Sequence, residues 1–265
     1  MALLIFSHGN SFPASTYGVM TAALKKRGFD VQSIEKLGHD PAYPVTNNWP
    51  NLVTQLAEFT HSAAERNGES AYLVGHSLGG LLSMLCAAQH PQHIRGVVLL
   101  DAPVIGGWKA LALATVKRAG LVGRISPSAV SQRRKDCFAD IDGAYAHFKS
   151  KRAFALWDDQ VLRDYVTLGT YAKDGQRFLS FQREIETQIY NTLPSNLESV
   201  LRRNPLRCPI AFIGGLKSIE LRQTGTHFTK KITQGRMHWL DGTHLFPMEK
   251  PLAAAAAVEA AIQGF

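Results

Sequence analysis

The sequence predicts an α/β chain, a mostly parallel, doubly wound sheet with a block of helices inserted in its second half. Short apolar runs without alternation (residues 3–7, 71–74 and 97–100) are separated by stretches of helical periodicity, the pattern of strands buried on both faces. After Pro103 that rhythm breaks for about a hundred residues of helical pattern, then resumes at Pro209. A third observation is the seam Gly75-His76-Ser77-Leu78-Gly79, where an apolar run meets a helical one.

Taken in order, residues 3–7 predict a strand and 15–27 a helix ended by Gly28. Residues 29–34 predict a second strand, and Pro, Asn and Gly then crowd a loop over 38–51. Leu52, Val53, Leu56 and Phe59 recur at helical spacing within 49–66. Strand 71–74, helix 78–89 and strand 97–100 follow, and right-handed crossovers join the strands by default. The inserted block carries helical patterns at 108–118, 159–168 and 181–193 and few strand-like runs. Strands at 209–214 and 236–240 and a closing helix at 251–262 complete the chain. The expected division is a core of residues 1–103 and 201–265 and a helical cap of 104–200.

Composition narrows the function classes. A hydrophobic fraction of 45% suffices for a sizeable core. Three widely spaced cysteines fit neither a disulfide framework nor a CxxC metal site, so a reducing compartment, the cytoplasm, is expected. MALLIFSHGN has no basic n-region and reads as a core strand, not a signal peptide, and no stretch is long enough for a membrane span. The net charge of +8 owes much to Arg202, Arg203, Arg207, Lys217, Arg222, Lys230, Lys231 and Arg236, opposed in that stretch by Glu220 alone. These charges are scattered over several elements without a nucleic-acid reader motif, so a solvated basic face is expected.

The seam matches G-x-S-x-G, with a strand before and a helix after. Such a turn holds a serine in a strained conformation, its Oγ clear of the sheet edge at the positive end of the helix. Acyl transfer also needs N–H groups aimed at the developing oxyanion. Leu78 N–H is one candidate, and the loop after His8-Gly9 offers Asn10 or Ser11. Among ten histidines, His244 in DGTHLFP, between the last strand and the last helix, is placed to take the serine proton. His39, His61, His90, His93, His147 and His227 are expected at the surface, His238 in a structural role, and His76 packed away from the nucleophile.

The strand-HGN loop, the GHSLGG elbow and the GTHLFPMEKP end together resemble the α/β-hydrolase superfamily, in its cap-containing serine-hydrolase branch. The resemblance implies a Ser–acid–His triad in that chain order, no cofactor or metal, and a small-molecule substrate with an ester, thioester, lactone or similar bond. An apolar lining of the inserted block would favour a hydrophobic one. The chain departs from the pattern at the acid. Where aspartate is expected after the penultimate strand it has Ser218-Ile219-Glu220, so the expected acid is Asp101, at the end of strand 97–100 and better placed than a loop residue, with Glu220 as the alternative. Trp108, Phe148, Phe154, Trp157, Tyr165 and Tyr190 either line a hydrophobic pocket or form the cap's own core. Two other functions stay open: carbon–carbon hydrolysis of a diketone-like substrate, and binding without turnover.

Overall fold

The computed structural model describes residues 1–118 and 128–265. Strand β1 (Ala2–Ser7) explains why its run is apolar at every step. Leu3 and Ile5 join one hydrophobic cluster with Leu52, Leu56 and Leu82, while Leu4 and Phe6 join a second with Met20, Leu24 and Val258. Both faces are covered, so alternation would leave polar groups in a core.

After a 3-10 turn at Ala14–Tyr17 come α1 (Gly18–Lys26), β2 (Phe29–Ser33), α2 (Pro50–Asn67), β3 (Ala71–His76), α3 (Leu78–Gln89) and β4 (Ile94–Leu100). The segment that follows holds α4 (Trp108–Arg118), α5 (Ser128–Gln132), β5 (Cys137–Phe138), α6 (Ile141–Lys149), α7 (Asp159–Leu168), β6 (Thr170–Lys173), β7 (Gln176–Leu179), α8 (Arg183–Asn191) and α9 (Leu197–Arg203). The chain then returns through β8 (Ile210–Gly215), α10 (Ile219–Thr224), α11 (His227–Ile232), β9 (Met237–Leu240), α12 (Phe246–Glu249) and α13 (Pro251–Gln263). The main sheet is parallel throughout, in the order β2-β1-β3-β4-β8-β9. Its C-terminal ends therefore gather the loops after β1, β3, β4, β8 and β9 at one edge.

The inserted segment is not purely helical. β5, β7 and β6 form an antiparallel sheet of three short strands. The signal for it is Asp174-Gly175, both at positive φ (51° and 73°), a pair suited to a tight hairpin turn. Strands of two and four residues are too short to show a period, so the helical patterns around them dominate the sequence.

Phe148, Phe154, Trp157 and Tyr165 are buried against one another as the insert's own core, and Phe12 packs its ring on three of them at 5.3–6.4 Å. Tyr190 is half-buried, and the side chain of Trp108 lies outside the described residues. The late basic residues are exposed, apart from half-buried Arg236. Among the described residues no helix is long and apolar enough to cross a membrane.

The glycines of the β3–α3 seam follow from close approach. A Cβ on Gly75 would lie 2.2 Å from the Gly79 backbone, and one on Gly79 would lie 2.1 Å from Ser7 O. The helix can start against β1 and β3 only if both positions lack side chains. Gly79→Ala is expected to lose at least about 3 kcal/mol of stability, because the obstructing atoms are backbone and cannot rotate away. Urea unfolding checks this, and a midpoint matching the wild type would contradict the packing.

Candidate active site

Three strand ends bring the expected groups together. Ser77 joins β3 to α3 with φ 52° and ψ −113°, a conformation that L side chains rarely adopt. Its Oγ lies 3.1 Å from His244 Nε2. His244 Nδ1 lies 2.7 Å from Asp101 Oδ2. Leu78, the first residue of α3, has its N–H among the helix-start donors that lack an intrahelical acceptor.

Asp101, one residue beyond β4, has no exposed surface, so its charge must be met inside the protein. Oδ1 accepts from Gly215 N at 2.7 Å, and Oδ2 accepts from Ser218 Oγ at 2.6 Å as well as facing His244. Glu220 is exposed, with Oε2 3.3 Å from the same Ser218 hydroxyl. Of the two carboxylates left open by the sequence, Asp101 holds the histidine and Glu220 stands behind it. Ser218, at the position where aspartate is expected, donates to the aspartate that sits elsewhere.

The His244 loop is tied from below, since Thr243 N donates to Glu249 Oε2 at 3.0 Å and the Thr243 hydroxyl bonds the same carboxylate. Burial works to lower the His244 pKa, but the hydrogen bond and charge of Asp101, helped by Glu220 and Glu249, raise it above its ordinary 6.5.

His76 does turn away from Ser77, but it makes specific bonds there. It is buried, and Nε2 donates to His244 O at 2.9 Å. That fixes Nδ1 as an acceptor for the Tyr17 hydroxyl at 2.7 Å, and Tyr17 in turn accepts from Gly9 N at 3.0 Å. Tyr17 is thus a site residue that no motif announces. Burial, helped by the nearby His244, drives the His76 pKa down to about 3. His8 is likewise buried, Nδ1 bonding Gly9 O at 2.8 Å while Nε2 accepts from Leu37 N at 2.7 Å, and burial lowers its pKa to about 4. His39, expected at the surface, is half-buried: Nε2 accepts from Gln182 N at 3.0 Å and the ring packs edge-on to Phe181. His61 and His227 are exposed as expected, His90, His93 and His147 are half-buried, and His238 is exposed on β9.

Asn10 and Ser11 form the middle of a turn closed by Phe12 N to Gly9 O at 3.3 Å. Their side chains reach the insert: Asn10 Nδ2 donates to Glu186 O at 3.0 Å and Ser11 Oγ to Glu186 Oε1 at 2.5 Å.

Comparison with known proteins agrees with this architecture. A family model described as serine aminopeptidase, S33, matches residues 1–155, more than half of the chain. A protein of Mycobacterium phage D29, provisionally named a non-heme haloperoxidase, is 25% identical over 273 residues, covering 98% of this chain and 87% of its own. The monoglyceride lipase of Rattus norvegicus is 25% identical over 148 residues, 51% of this chain and 49% of the lipase, so that match spans about half of each. The solved structure of E-2-(acetamidomethylene)succinate hydrolase superposes with a TM-score of 0.75 at 21% identity, over 99% of this chain and 91% of that one. The chain belongs to the serine aminopeptidase S33 family of α/β hydrolases.

The two buried neutral histidines predict acid lability. Their folded pKa values lie below the ordinary 6.5, so the unfolded chain binds protons that the folded chain refuses. Stability should therefore fall as pH drops from 6.5 towards about 4 for His8 and about 3 for His76, by up to about 1.4 kcal/mol per pH unit for each. Melting temperature against pH tests this: His8→Gln should flatten the slope between pH 6.5 and about 4, and an unchanged slope would refute the assignment.

Proposed function

We propose that this α/β hydrolase cleaves a carboxylic ester or a related acyl bond through an acyl-enzyme on Ser77. One observation carries the reading: contacts run from the Asp101 carboxylate through both ring nitrogens of His244 to Ser77 Oγ, at 2.7 and 3.1 Å. Asp101 holds the His244 proton on Nδ1, leaving the Nε2 lone pair towards the serine. As Oγ attacks the substrate carbonyl, Nε2 takes its proton, and the carbonyl oxygen becomes an oxyanion facing the N–H groups of Leu78 and of Asn10 or Ser11. Collapse of that intermediate expels the alcohol, which leaves with the proton from Nε2. Water then attacks the acyl-enzyme, with His244 again taking a proton, and frees the acid and Ser77.

Residues 104–200 are the proposed cap. In support, the segment touches the loop after β1 through Glu186 and packs Phe154, Trp157 and Tyr165 on Phe12. The lipase relatives are named for a glyceride ester, which favours an oxoester with an apolar acyl chain as the first substrate to try. Three free cysteines suit the proposed cytoplasmic location. Binding without turnover loses its motive, since the irregular acid region does not deprive His244 of a carboxylate.

A panel of esters of graded chain length, thioesters, lactones, diketones and amides separates the acyl and carbon–carbon chemistries. Ser77→Ala should abolish fluorophosphonate labelling and lower kcat by roughly four orders of magnitude or more, and undiminished labelling would remove Ser77 from its role. Asp101→Asn should lower kcat by about 10⁴-fold. The base must be neutral to act, so kcat/KM should rise with pH through a midpoint above 6.5 in the wild type. Losing the Asp101 charge should move that limb to lower pH, whereas a limb that stays put would refute Asp101 as the partner of His244.

A further inference from the structure

The turn after β1 puts serine where its geometry favours glycine. Ser11 is the third residue of that turn and has φ 80°. Left-handed backbone of this kind strains an L residue, a strain that glycine avoids. The side chain that causes the strain is not idle. Ser11 is buried, and its hydroxyl donates to Glu186 Oε1 at 2.5 Å, the length of a charge-assisted bond. Asn10 donates to the backbone oxygen of the same glutamate at 3.0 Å. One residue of α8 therefore grips two successive residues of the loop.

Glu186 is itself held in place. It is buried, and Arg134 Nη1 meets Oε2 at 2.8 Å while Nη2 bonds the Tyr165 hydroxyl. A buried ion pair is a poor device for stability alone, because apolar residues of similar volume often do as well or better. What this pair supplies is a fixed acceptor, supported from the insert and aimed at the loop.

We infer that Glu186 is a positioning residue: through Ser11 and Asn10 it sets the loop whose N–H group receives the substrate oxyanion, so that seating the insert and completing the oxyanion hole are one event. The inference rests on the acyl-hydrolase reading above.

Two variants test it by different routes. Ser11→Ala removes the hydroxyl and leaves the Glu186–Arg134 pair intact, and Glu186→Gln keeps the side-chain length while removing the charge. Each is assayed beside the wild type on a matched oxoester and thionoester, with melting temperature recorded. Sulfur is larger than oxygen and a weaker acceptor, so the oxo/thiono rate ratio reports the oxyanion hole and not the amount of folded protein. The expected result is a fall in oxoester kcat of roughly ten- to a hundredfold. KM should stay within about twofold, and the oxo/thiono ratio should shrink by a factor similar to the fall in kcat. Leu179→Ala, a cavity in the insert's packing on β7, should lower the melting temperature and leave the ratio unchanged.

If the wild type hydrolyses oxoesters and both latch variants keep its ratio, the inference falls and the hydrolase reading stands. It also falls if Leu179→Ala moves the ratio as far as they do. A wild type inert towards every acyl substrate sinks the hydrolase reading first, and this inference with it.

Discussion

A buried carboxylate at the end of β4 sets the terms for everything around it. Asp101 has no exposed surface and three donors: Gly215 N, Ser218 Oγ and His244 Nδ1. An ionised group in that position is tolerable only while those donors stay in place, because the penalty of an unpaired buried charge is several kcal/mol. The constraint reaches three separate segments, the ends of β4 and β8 and the loop before α12. It also accounts for local geometry. Asp101, Ser77 and Ser11 follow three strands at the same sheet edge, and all three have positive φ. Strain of about 1–3 kcal/mol at each is held by the surrounding ladder, as where Ser77 N bonds Leu100 O at 3.0 Å and Asp101 N bonds Ile213 O at 2.8 Å.

From the same histidine a second line of bonds runs the other way. His244 O receives the His76 Nε2 proton, His76 Nδ1 receives the Tyr17 proton, and the Tyr17 oxygen receives Gly9 N–H. Each group has a single role consistent with the next, which requires a neutral His76, and burial enforces that neutrality. The His244 loop and the loop after β1 are thereby registered to each other without passing through Ser77. A protonated His76 would have no lone pair for Tyr17, and the line would break at its middle.

The parts of this arrangement differ in how far they could be read from residues alone. The parallel sheet was legible because strands buried on two faces leave an unmistakable apolar signature between helical periods. That Ser77 and His244 come together at 3.1 Å was legible because the Ser77 turn has neighbours dictated by backbone contact, Gly79 against Ser7 O above all, and His244 sits between the last strand and the last helix. Which carboxylate meets His244 was only partly legible: a strand-end position favours Asp101 over Glu220, but the choice depends on which of two strand ends lies nearer the histidine loop, a property of sheet order. Ser218 in the expected place concealed that it serves Asp101 across 117 residues. Tyr17 and Glu186 were silent for a different reason. An aromatic near a helix start and a glutamate on an amphipathic helix are ordinary residues until their partners, 59 and 175 positions away, are known.

The insert's chemistry at the site follows from how its apolar residues are spent. Phe148, Phe154, Trp157 and Tyr165 close on one another and on Phe12, so these rings are committed to anchoring the segment. On α8 the opposite holds: Ile189 packs into the core beneath, while Glu186 meets the loop after β1. The helix therefore carries anchoring and polar contact on one short stretch, and a shift of the insert moves both. A segment joined to the core by rings alone could slide, because apolar contact has no preferred direction. Hydrogen bonds to Asn10 and Ser11 have one, and they convert a loosely specified contact into a single seated position.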